Sequence, residues 1–479
     1  ILYFSAVKAH SDPILIRLFV LLGFSFDCST KGEISLVLKN CGKPQNIIYA
    51  HTIKPHSSLK YAREIGVDLM TFDCEEELEK IKKFYPTARL VVRIKGESPQ
   101  CSYDLNVKYG CYLEEVKQLF VKAKDLDLNV IGISFHVGAL CVDPTSYSKT
   151  IHSSRILFDF AEGLGLHLTL LDIGGGFFGS KERENFFNDV SSEIRNSVEK
   201  YFPDNSVRVI AEPGCYFVGS AQRNVTCVLG KRSVNKHQHP MNKDKNETEN
   251  DEIKRQYFIN DGYYTSFFRQ FELYDIYARP FLVSSEIRNS VEKYFPDNSV
   301  RVIAEPGCYF VGSAQRNVTC ILGKRSVKKH LHPMNKDKNE TENDEIKRQY
   351  FINDGYYTSF FRQFELYDIY ARPFLKQEEV KKRPIYKSTI WGQTCCCEDY
   401  VIKECSLPEL NDGEYLVWEN MGAYTLALAS QFTIVPIPQA KRVFIKNSRL
   451  NLDWIENLEE VTDFLGNNVV LIESEKVPS

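Results

Sequence analysis

The sequence has no hydrophobic run long enough to cross a membrane and no excess of charge of either sign. Its most apolar stretch, residues 14–26, is interrupted by Arg17 and falls short of the roughly 20 apolar residues that a spanning helix needs. With 60 basic and 63 acidic residues the formal net charge is −3, so no overall field attracts a polyanion. We therefore expect neither a membrane nor a nucleic acid as partner.

Two further absences concern the cellular compartment and metal binding. Residues 1–12 lack the basic region and the small-residue cleavage site of a secretory leader, which predicts a cytoplasmic protein whose 14 cysteines stay reduced. Cys395, Cys396 and Cys397 are consecutive, a spacing that suits neither a zinc site nor mutual disulfides. The sequence therefore predicts no metal site.

The chain contains a near-exact internal repeat. Residues 190–282 recur as 283–375, an offset of 93, with three differences. Solenoid repeats are shorter, more numerous and usually diverged, so this pair indicates a segment duplication or an artefact of gene prediction rather than a two-repeat architecture. Each copy includes a polar tract, 231–255 or 324–348, which we expect to be a surface loop.

Before the repeat, short apolar runs alternate with longer amphipathic segments. The runs predicted as strands are 3–7, 47–50, 69–72, 90–94, 130–135 and 168–173. Apolar residues at helical spacing predict helices between them, including 75–84, 113–124 and 147–164. This alternation predicts an α/β fold with a parallel sheet, and the number of units favours a closed β/α barrel of the TIM type.

After residue 256 the sequence becomes richer in strand-like segments. Examples are 256–260, 349–353, 415–418 and 442–445. We therefore predict a barrel at 1–225, the start of a β-domain with the duplicate at 226–375, and a carboxyl-terminal β-domain and tail at 376–479. We expect the first copy of the repeat to close the barrel and the second copy to lead into the β-domain.

Four motifs follow apolar runs, where the catalytic residues of a barrel lie. Lys8 could react with an aldehyde cofactor, although a lone lysine is more often simply exposed. The triple glycine 174–176 could admit a phosphate to its backbone amides or form an ordinary tight turn. His136 could stack on a planar ring or be structural. Glu212, repeated as Glu305, could pair with a pyridinium nitrogen or with a neighbouring cation.

Together and in this order, the motifs resemble those of the eukaryotic ornithine decarboxylase and antizyme inhibitor family. The similar runs begin at Leu170 (LLDIGGGF), Glu419 (ENMGAY) and Met70 (MTFD). The resemblance implies a barrel that binds pyridoxal 5'-phosphate (PLP), a β-domain whose amino-terminal part is missing here, and a head-to-tail homodimer with shared active sites. It also implies decarboxylation of ornithine to putrescine in polyamine biosynthesis.

The resemblance further implies roles by position. Catalysis would use Lys8 as the Schiff-base lysine, His136 stacked on the cofactor ring, and Cys395 donated across the dimer interface. The residues implied in cofactor binding are Lys8, Asp27, Glu33, Arg93, His136, Gly174, Gly175, Gly176, Glu212 or Glu305, Gly214 and Tyr424. Those implied in recognition of the substrate's distal amine are Asp275 or Asp368 and the residue at Cys396. Lys108 and Asp399 would form an ion pair between subunits, and residues 60–89 would bind antizyme.

Three positions depart from the family pattern. Cys215 stands where the family has an arginine, and Ala139 where it has a serine, both phosphate ligands. Loss of one charged and one neutral hydrogen bond would weaken cofactor binding by roughly 2–4 kcal/mol, or about 30- to 1000-fold. Cys396 replaces a carboxylate, so ornithine would bind less well and a less polar amino acid comparatively better.

Three functions are therefore compared: an active ornithine decarboxylase, a decarboxylase with a less cationic substrate, and a catalytically inactive protein that binds antizyme. Retention of Lys8, His136, Glu212 and Cys395 favours an enzyme, because a binding protein does not need all four. Cysteine at 215 and the basic character of 60–89 favour the antizyme-binding alternative, although helix-surface charges are commonly just solvated.

Overall fold

The computed structural model describes most of the chain in two compact units. The described residues are 1–97, 101, 104–139, 141–178, 183–203, 206–219, 228–234, 254–259, 316–328, 346–361, 371–419, 421–422, 425–438, 442–446 and 469–473. The units are Ile1–Val435 and Pro436–Ser479. Glu305, Asp275, Asp368 and Tyr424, each assigned a role from the sequence, lie outside the described residues.

Eight parallel strands form a closed barrel in chain order, with the first strand pairing with the eighth. Their bounds are β1 Leu2–Ala6, β2 Ser25–Cys28, β3 Ile47–Tyr49, β4 Leu69–Phe72, β5 Arg89–Arg93, β6 Asn129–Ser134, β7 Leu170–Asp172 and β8 Arg208–Ala211. The predicted barrel is thus confirmed. The prediction missed β2, because Phe26 is the one large apolar side chain among its four residues.

Helices follow the strands and cover the outside of the barrel. Their bounds are α1 Pro13–Leu21, α2 Lys31–Lys39, α3 His56–Ile65, α4 Glu75–Phe84, α5 Leu113–Asp125, α6 Thr145–Gly163, α7 Glu184–Tyr201 and α8 Cys215–Val218. Helix α4 shows why such segments fold this way. Acidic residues occupy its first turn and basic residues its last turn, which suits the helix dipole, while Leu78 and Ile81 are fully buried.

Alternation along the strands divides the barrel core into two layers. Val91 of β5 points into the barrel, where it belongs to a cluster with Phe4, Ile48, Leu69, Leu170 and Ile210. Its neighbours Leu90 and Val92 point outward and pack in the larger cluster beneath the helices. All three are fully buried, so the strand reads as a continuous apolar run, as expected for a parallel sheet covered on both faces.

A six-stranded mixed sheet in the same unit follows the barrel, in the order β13-β16-β11-β12-β14-β15. Its strands are β11 Asn317–Lys328, β12 Ile346–Ile352, β13 Ala371–Pro373, β14 Ile385–Trp391, β15 Tyr400–Pro408 and β16 Tyr415–Trp418, with a short helix, α9 Gln377–Lys382. Trp418, Tyr350 and Phe360 are fully buried in a separate core. This sheet is the second, β-rich part that the sequence predicted.

The two copies of the repeat have different structural neighbours. Strand β8, which closes the barrel, comes from the first copy. The next strands of that copy, β9 Val228–Val234 and β10 Lys254–Ile259, pair only with each other in the described part of the chain, whereas their counterparts β11 and β12 belong to the six-stranded sheet. The ends of both polar tracts are therefore strands, which corrects the prediction of loops throughout 231–255 and 324–348.

The second unit is described only in two strands, β17 Arg442–Lys446 and β18 Val469–Glu473, which pair in parallel. No helix in the described ranges is both long and apolar enough to cross a membrane. The division of the chain at residues 225 and 375 stays a prediction.

Candidate active site

The polar residues predicted for the site lie at the carboxyl ends of the barrel strands. Lys8 follows β1, Asp27 lies in β2, His136 follows β6, the glycines 174–176 follow β7 and Glu212 follows β8. Parallel strands of a barrel end at the same rim, so these groups meet at one mouth although they are far apart in the chain. Arg93 ends β5 at the same rim.

Lys8 forms an ion pair with the buried carboxylate of Asp27. The lysine side chain is 31% exposed, so it can be reached from the mouth of the barrel. Burial lowers the pKa of Lys8, but Asp27, Cys395 and Glu212 together hold it above its ordinary value. Lys8 is thus an ammonium group that must give up a proton before its amine can attack a carbonyl.

Two buried carboxyls, Asp172 and Glu212, lie together opposite this lysine. Burial raises the pKa of both groups. The charge of Asp172 raises the pKa of Glu212 further, whereas a hydrogen bond with Glu212 lowers the pKa of Asp172. Among the residues that the structure describes, no N–H or O–H group donates to Asp172 Oδ2, Glu212 Oε1 or Asp27 Oδ1, all of which are buried. Such an excess of buried acceptors fits a ligand that brings a proton or a positive charge, as a protonated pyridine ring does.

Glu33 is a fourth buried carboxyl near the lysine. Its Oε2 accepts hydrogen bonds from the Ser29 backbone N–H at 2.6 Å and the Ser29 hydroxyl at 2.8 Å. Burial nevertheless raises the pKa of Glu33 to about 7, so this group can exchange a proton near neutral pH. It lies close enough to Lys8 for the two charges to interact.

The glycine loop after β7 has room for no other residue type. Gly174 and Gly176 have φ angles of 66° and 99°, in the region that favours glycine. A Cβ on Gly175 would lie 2.7 Å from the Glu212 carbonyl oxygen and 3.0 Å from His136 Nε2. The loop therefore places backbone directly between the glutamate and the histidine, where a side chain would fill the space that a bound group needs.

His136 is held as a neutral ring. Its Nδ1 accepts a hydrogen bond from the Gly138 backbone N–H at 3.0 Å, which assigns the proton to Nε2. Burial lowers the pKa of His136 well below its ordinary value, and the nearby charges of Arg93 and Lys8 lower it further. A neutral imidazole can stack on a planar ring without repelling the cation that the carboxylates favour.

The part of the site that would face the phosphate of PLP has few charged or polar side chains among the residues that the structure describes. Cys215 is exposed at the start of the four-residue helix α8, and Ala139 follows the His136 segment; neither side chain brings a charge. The predicted phosphate contact Tyr424 lies outside the described residues. The residues present thus fit the pyridine ring of PLP well, and they offer its phosphate mainly the backbone amides of the glycine loop.

The six-stranded sheet adds a loop, residues 392–399, that covers the mouth of the barrel. Lys108, in the segment after β5, is fully buried, and its Nζ donates to the carbonyl oxygens of Gly392 at 3.0 Å, Thr394 at 2.7 Å and Cys396 at 3.2 Å. The same Nζ lies 3.8 Å from Asp399 Oδ2. The predicted pair of Lys108 and Asp399 is thus in contact, and its formation between subunits stays a prediction.

Cys395 lies at the reacting end of this loop. Burial raises the pKa of its thiol to about 12, and the opposing charges of Lys8 and Glu33 lie near enough to influence it. A hydrogen bond with Ser29 ties the thiol to the barrel. The thiol is protonated at neutral pH and faces Lys8, so it can donate a proton to a group bound there.

Cys396, at the predicted substrate position, is also described. The Tyr357 hydroxyl donates to Cys396 Sγ at 3.1 Å. A thiol and a phenol hydroxyl thus stand where the family has a carboxylate to face the substrate side chain. The two alternative carboxylates for the same role, Asp275 and Asp368, lie outside the described residues.

The region predicted to bind antizyme is partly covered. Lys80 is buried: it pairs with Glu77 at 2.9 Å and donates to the Leu322 carbonyl oxygen of β11 at 3.1 Å. Lys80 therefore belongs to an internal contact and adds little to the basic character predicted for the surface of residues 60–89. Lys83 remains exposed.

Sequence reasoning missed several residues that shape the site. Asp172 precedes the glycine loop and has no role predicted from the sequence, although it lies in the same pocket as Glu212. Ser29, Tyr357 and Arg325 belong to none of the motifs, and Asp73 ends the run MTFD without a role assigned to it, although it pairs with Arg325. The signal that could have found Asp73 and Asp172 is a carboxylate directly after or at the end of an apolar strand, where burial requires a partner.

Comparison with known proteins agrees with this geometry. Residues 1–219 match the family described as pyridoxal-dependent decarboxylase, pyridoxal binding domain. The chain is 32% identical to ornithine decarboxylase of Rattus norvegicus over 430 residues, which cover 90% of this chain and 72% of that protein. It is also 32% identical to antizyme inhibitor 2 of Xenopus laevis over 431 residues, or 90% of this chain and 73% of that protein.

The chain belongs to the family of ornithine decarboxylases and antizyme inhibitors. The predicted family, barrel fold and PLP cofactor of this ornithine decarboxylase family member are thereby confirmed. Among solved structures, the arginine decarboxylase of Paramecium bursaria Chlorella virus aligns with 90% of this chain and 86% of its own, at 24% identity and a TM-score of 0.44. Because both an enzyme and an inhibitor are similar to this chain, membership alone does not choose between catalysis and antizyme binding.

Proposed function

We propose that this chain is a PLP-dependent amino-acid decarboxylase of the ornithine decarboxylase type, which converts ornithine to putrescine with a reduced preference for the cationic side chain. One observation carries the proposal. Lys8, Glu212, His136 and the Cys395 thiol converge on one pocket, where several buried carboxylate oxygens accept no hydrogen bond from the described part of the chain. A protein that only binds another protein has no need for a pocket of this composition.

Different residues of the chain have different proposed roles in the reaction. When bound, PLP supplies an electron sink that accepts the pair released with carbon dioxide. Lys8 is the proposed attachment point, Glu212 with Asp172 the proposed partner of the ring nitrogen, and neutral His136 the group stacked on the ring. Cys395 is the proposed proton donor, since its high pKa keeps the thiol protonated. Asp27 keeps Lys8 oriented through their ion pair, and Glu33, whose pKa burial raises to about 7, can take up its proton.

The test is a titration of the purified full chain with PLP, followed by an assay of carbon dioxide release from ornithine, lysine and leucine. We expect saturable binding with a shift of the cofactor absorbance and turnover of at least one of the three amino acids. Binding of PLP without release of carbon dioxide from any of them would argue against the enzyme.

Restoring the phosphate arginine should strengthen cofactor binding. We expect Cys215→Arg to lower the Kd for PLP by about 10- to 150-fold, because a hydrogen bond to a charged group contributes roughly 1.5–3 kcal/mol. Fluorescence titration with PLP measures the change. The matched control is Cys308→Arg, the same substitution in the second copy, which should leave the Kd unchanged because the first copy closes the barrel. Equal effects of the two substitutions would contradict the assignment.

Restoring the carboxylate at 396 should change the substrate preference. We expect Cys396→Asp to raise kcat/KM for ornithine relative to leucine by about 10- to 150-fold, since a charged partner for the distal ammonium contributes roughly 1.5–3 kcal/mol. Competition assays with both amino acids report the ratio. Cys396→Asn has the same shape without the charge, so an equal shift in that variant would mean that charge is not the cause.

The cysteine at 215 supports a second candidate, a catalytically inactive protein that binds antizyme through residues 60–89. In that region the exposed Lys83 remains accessible, whereas Lys80 could take part only if β11 moved away. The test is the affinity for antizyme with and without Lys83→Glu. Homodimer formation and a cytoplasmic location stay predictions from the sequence.

A further inference from the structure

We propose that Ser29 passes a proton from the carboxyl group of Glu33 to the sulfur of Cys395, which restores this proton donor after each turnover. The role rests on the proposed decarboxylation, in which Cys395 gives up a proton in every cycle. Ser29 acts through the other two residues and is therefore a positioning residue. The relay needs only the contact among these three groups, and that contact is the same whether one chain or two chains supply them.

The proposed reaction needs a fresh proton at Cys395 in each cycle. Decarboxylation breaks the bond between the α-carbon and the carboxyl carbon and puts a hydrogen in its place, so one proton is consumed for each molecule of carbon dioxide released. Once Cys395 has donated, its sulfur is a buried thiolate, which is the disfavoured form because burial raises the pKa of this thiol to about 12. A nearby acid must therefore return a proton before the next cycle.

Ser29 joins the two groups that this transfer requires. Its hydroxyl donates to Glu33 Oε2 at 2.8 Å and also forms a hydrogen bond with the Cys395 side chain. The Ser29 backbone N–H donates to the same Oε2 at 2.6 Å, which fixes the carboxyl group against the hydroxyl. Ser29 follows β2 and Glu33 lies in the first turn of α2, and both are buried, so the hydroxyl bridge is shielded from bulk water.

A hydroxyl can serve as such a bridge because it donates one hydrogen bond and accepts others. When Glu33 is ionised, the Ser29 hydroxyl donates to Oε2 and can accept from the thiol. When Glu33 is protonated, the hydroxyl can accept from the carboxyl and donate to the sulfur. The transfer then moves two protons: the Ser29 proton goes to the sulfur, the Glu33 proton goes to the Ser29 oxygen, and Glu33 is left as a carboxylate.

Glu33 has the properties of the acid that supplies this proton. Burial raises its pKa to about 7, so the carboxyl group takes up and releases protons near neutral pH. Its second oxygen, Oε1, is buried and accepts no hydrogen bond from any residue that the structure describes. Lys8, which acts on Glu33 through its charge, is partly exposed, so water can reach the mouth of the barrel beside this carboxyl group.

Several charged or titratable groups face Glu33 and Cys395 from the elements packed against them: Lys8 after β1, Asp27 and Cys28 in β2, Tyr49 in β3, and Lys108 and Tyr109 after β5. Burial raises the pKa of the thiol and of both phenols in this set, so they keep their protons at neutral pH. Lys8 keeps its proton too, since burial lowers its pKa less than Asp27 and the other neighbouring anions raise it. Burial also raises the pKa of Asp172 toward neutrality and that of Asp399 to about 6, so the experiment has to separate these carboxyls from Glu33.

Infrared spectroscopy of the full chain without cofactor tests the relay without any use of activity. The S–H stretching band of a thiol lies in a spectral window that other protein groups leave clear, and it moves to lower frequency when the thiol donates a hydrogen bond. Subtracting the spectrum of Cys395→Ala isolates the band of Cys395 from those of the other cysteines. The band is recorded at about pH 5.5 and about pH 8.5, on either side of the pKa of Glu33.

We expect the band to move to lower frequency as the pH rises, because ionised Glu33 accepts the Ser29 proton and leaves the thiol to donate to the hydroxyl. Glu33→Gln, which keeps Asp172 and Asp399 in place, should abolish the shift. Ser29→Ala should abolish it as well, and Ser29→Thr, which keeps the hydroxyl, should retain it. A band that stays at one frequency in the unsubstituted chain, or a shift that persists in Glu33→Gln, would overturn the relay. If Ser29→Ala does not fold, Glu33→Gln and Ser29→Thr decide.

The kinetics of turnover separate a failure of the relay from a failure of the proposed decarboxylation. In Ser29→Ala loaded with PLP, the first turnover should keep its ordinary rate, since Cys395 starts protonated. Later turnovers should slow by on the order of 10²-fold, the lower end of what a positioned proton donor contributes. Rapid-quench measurement of carbon dioxide resolves the two phases, and equal rates in both would overturn the relay. No carbon dioxide from the unsubstituted chain would contradict the decarboxylase, while the infrared shift still decides whether the three groups exchange a proton.

Discussion

Replacing Lys8 by alanine abolishes covalent attachment of PLP and lowers kcat/KM for decarboxylation by on the order of 10³-fold or more. The substitution removes the amine after β1 and also the cation that faces Asp27, whose Oδ1 accepts no hydrogen bond from any residue within the described ranges. Borohydride reduction of the loaded protein followed by peptide mass spectrometry locates the cofactor, and release of carbon dioxide measures the activity.

Lys8→Arg separates the two consequences of that change. Arginine keeps the positive charge beside Asp27 but offers no amine that can attack an aldehyde. We therefore expect Lys8→Arg to be as inactive as Lys8→Ala and to retain the thermal stability of the unsubstituted protein more closely. Covalent label on a different lysine in either variant would show that Lys8 is not the attachment point.

The barrel could be predicted from the sequence because its signals are local. Each strand such as β4 or β5 is a short apolar run, and each helix such as α4 carries its own periodicity and charge pattern. The site could be located for the same reason, since Lys8, His136 and Glu212 directly follow apolar runs and parallel strands bring their ends together. The local sequence pattern and the topology of a parallel barrel are thus enough to predict which residues meet at the carboxyl-terminal rim of the barrel.

What the sequence could not predict depends on contacts between distant segments. Arg232 and Arg325 lie in the same sequence context, yet one is in β9 of a two-stranded sheet and the other is in β11 against the barrel. Strand and helix propensities are the same for two segments of the same sequence. Only their positions in the chain, and thus their neighbours in the fold, can give them different structures. The interaction between Asp172 and Glu212 was missed for a related reason, because it joins residues at the ends of two paired strands, β7 and β8.

Because Arg325 has an identical counterpart in the first copy, its substitution tests the contact between the six-stranded sheet and the barrel. We expect Arg325→Ala to lower the free energy of unfolding by about 3–5 kcal/mol, because Asp73 would remain buried without its charge partner. The carbonyl oxygens of Gly110 and Lys108 would each lose a donor as well. Urea unfolding followed by tryptophan fluorescence reports the change, since Trp391 lies in the apolar part of the same contact.

The chain supplies its own control in Arg232→Ala, the same substitution in the first copy. Strand β9 pairs with β10 and with no other strand in the described ranges, and an isolated two-stranded sheet adds little stability. We expect Arg232→Ala to change the free energy of unfolding by less than about 0.5 kcal/mol. If the two variants lost equal stability, the two copies would be interchangeable and the contact with the barrel would not be specific to the second. If only Arg325→Ala lowers the free energy of unfolding strongly, the two identical segments differ in stability because they pack against different surfaces.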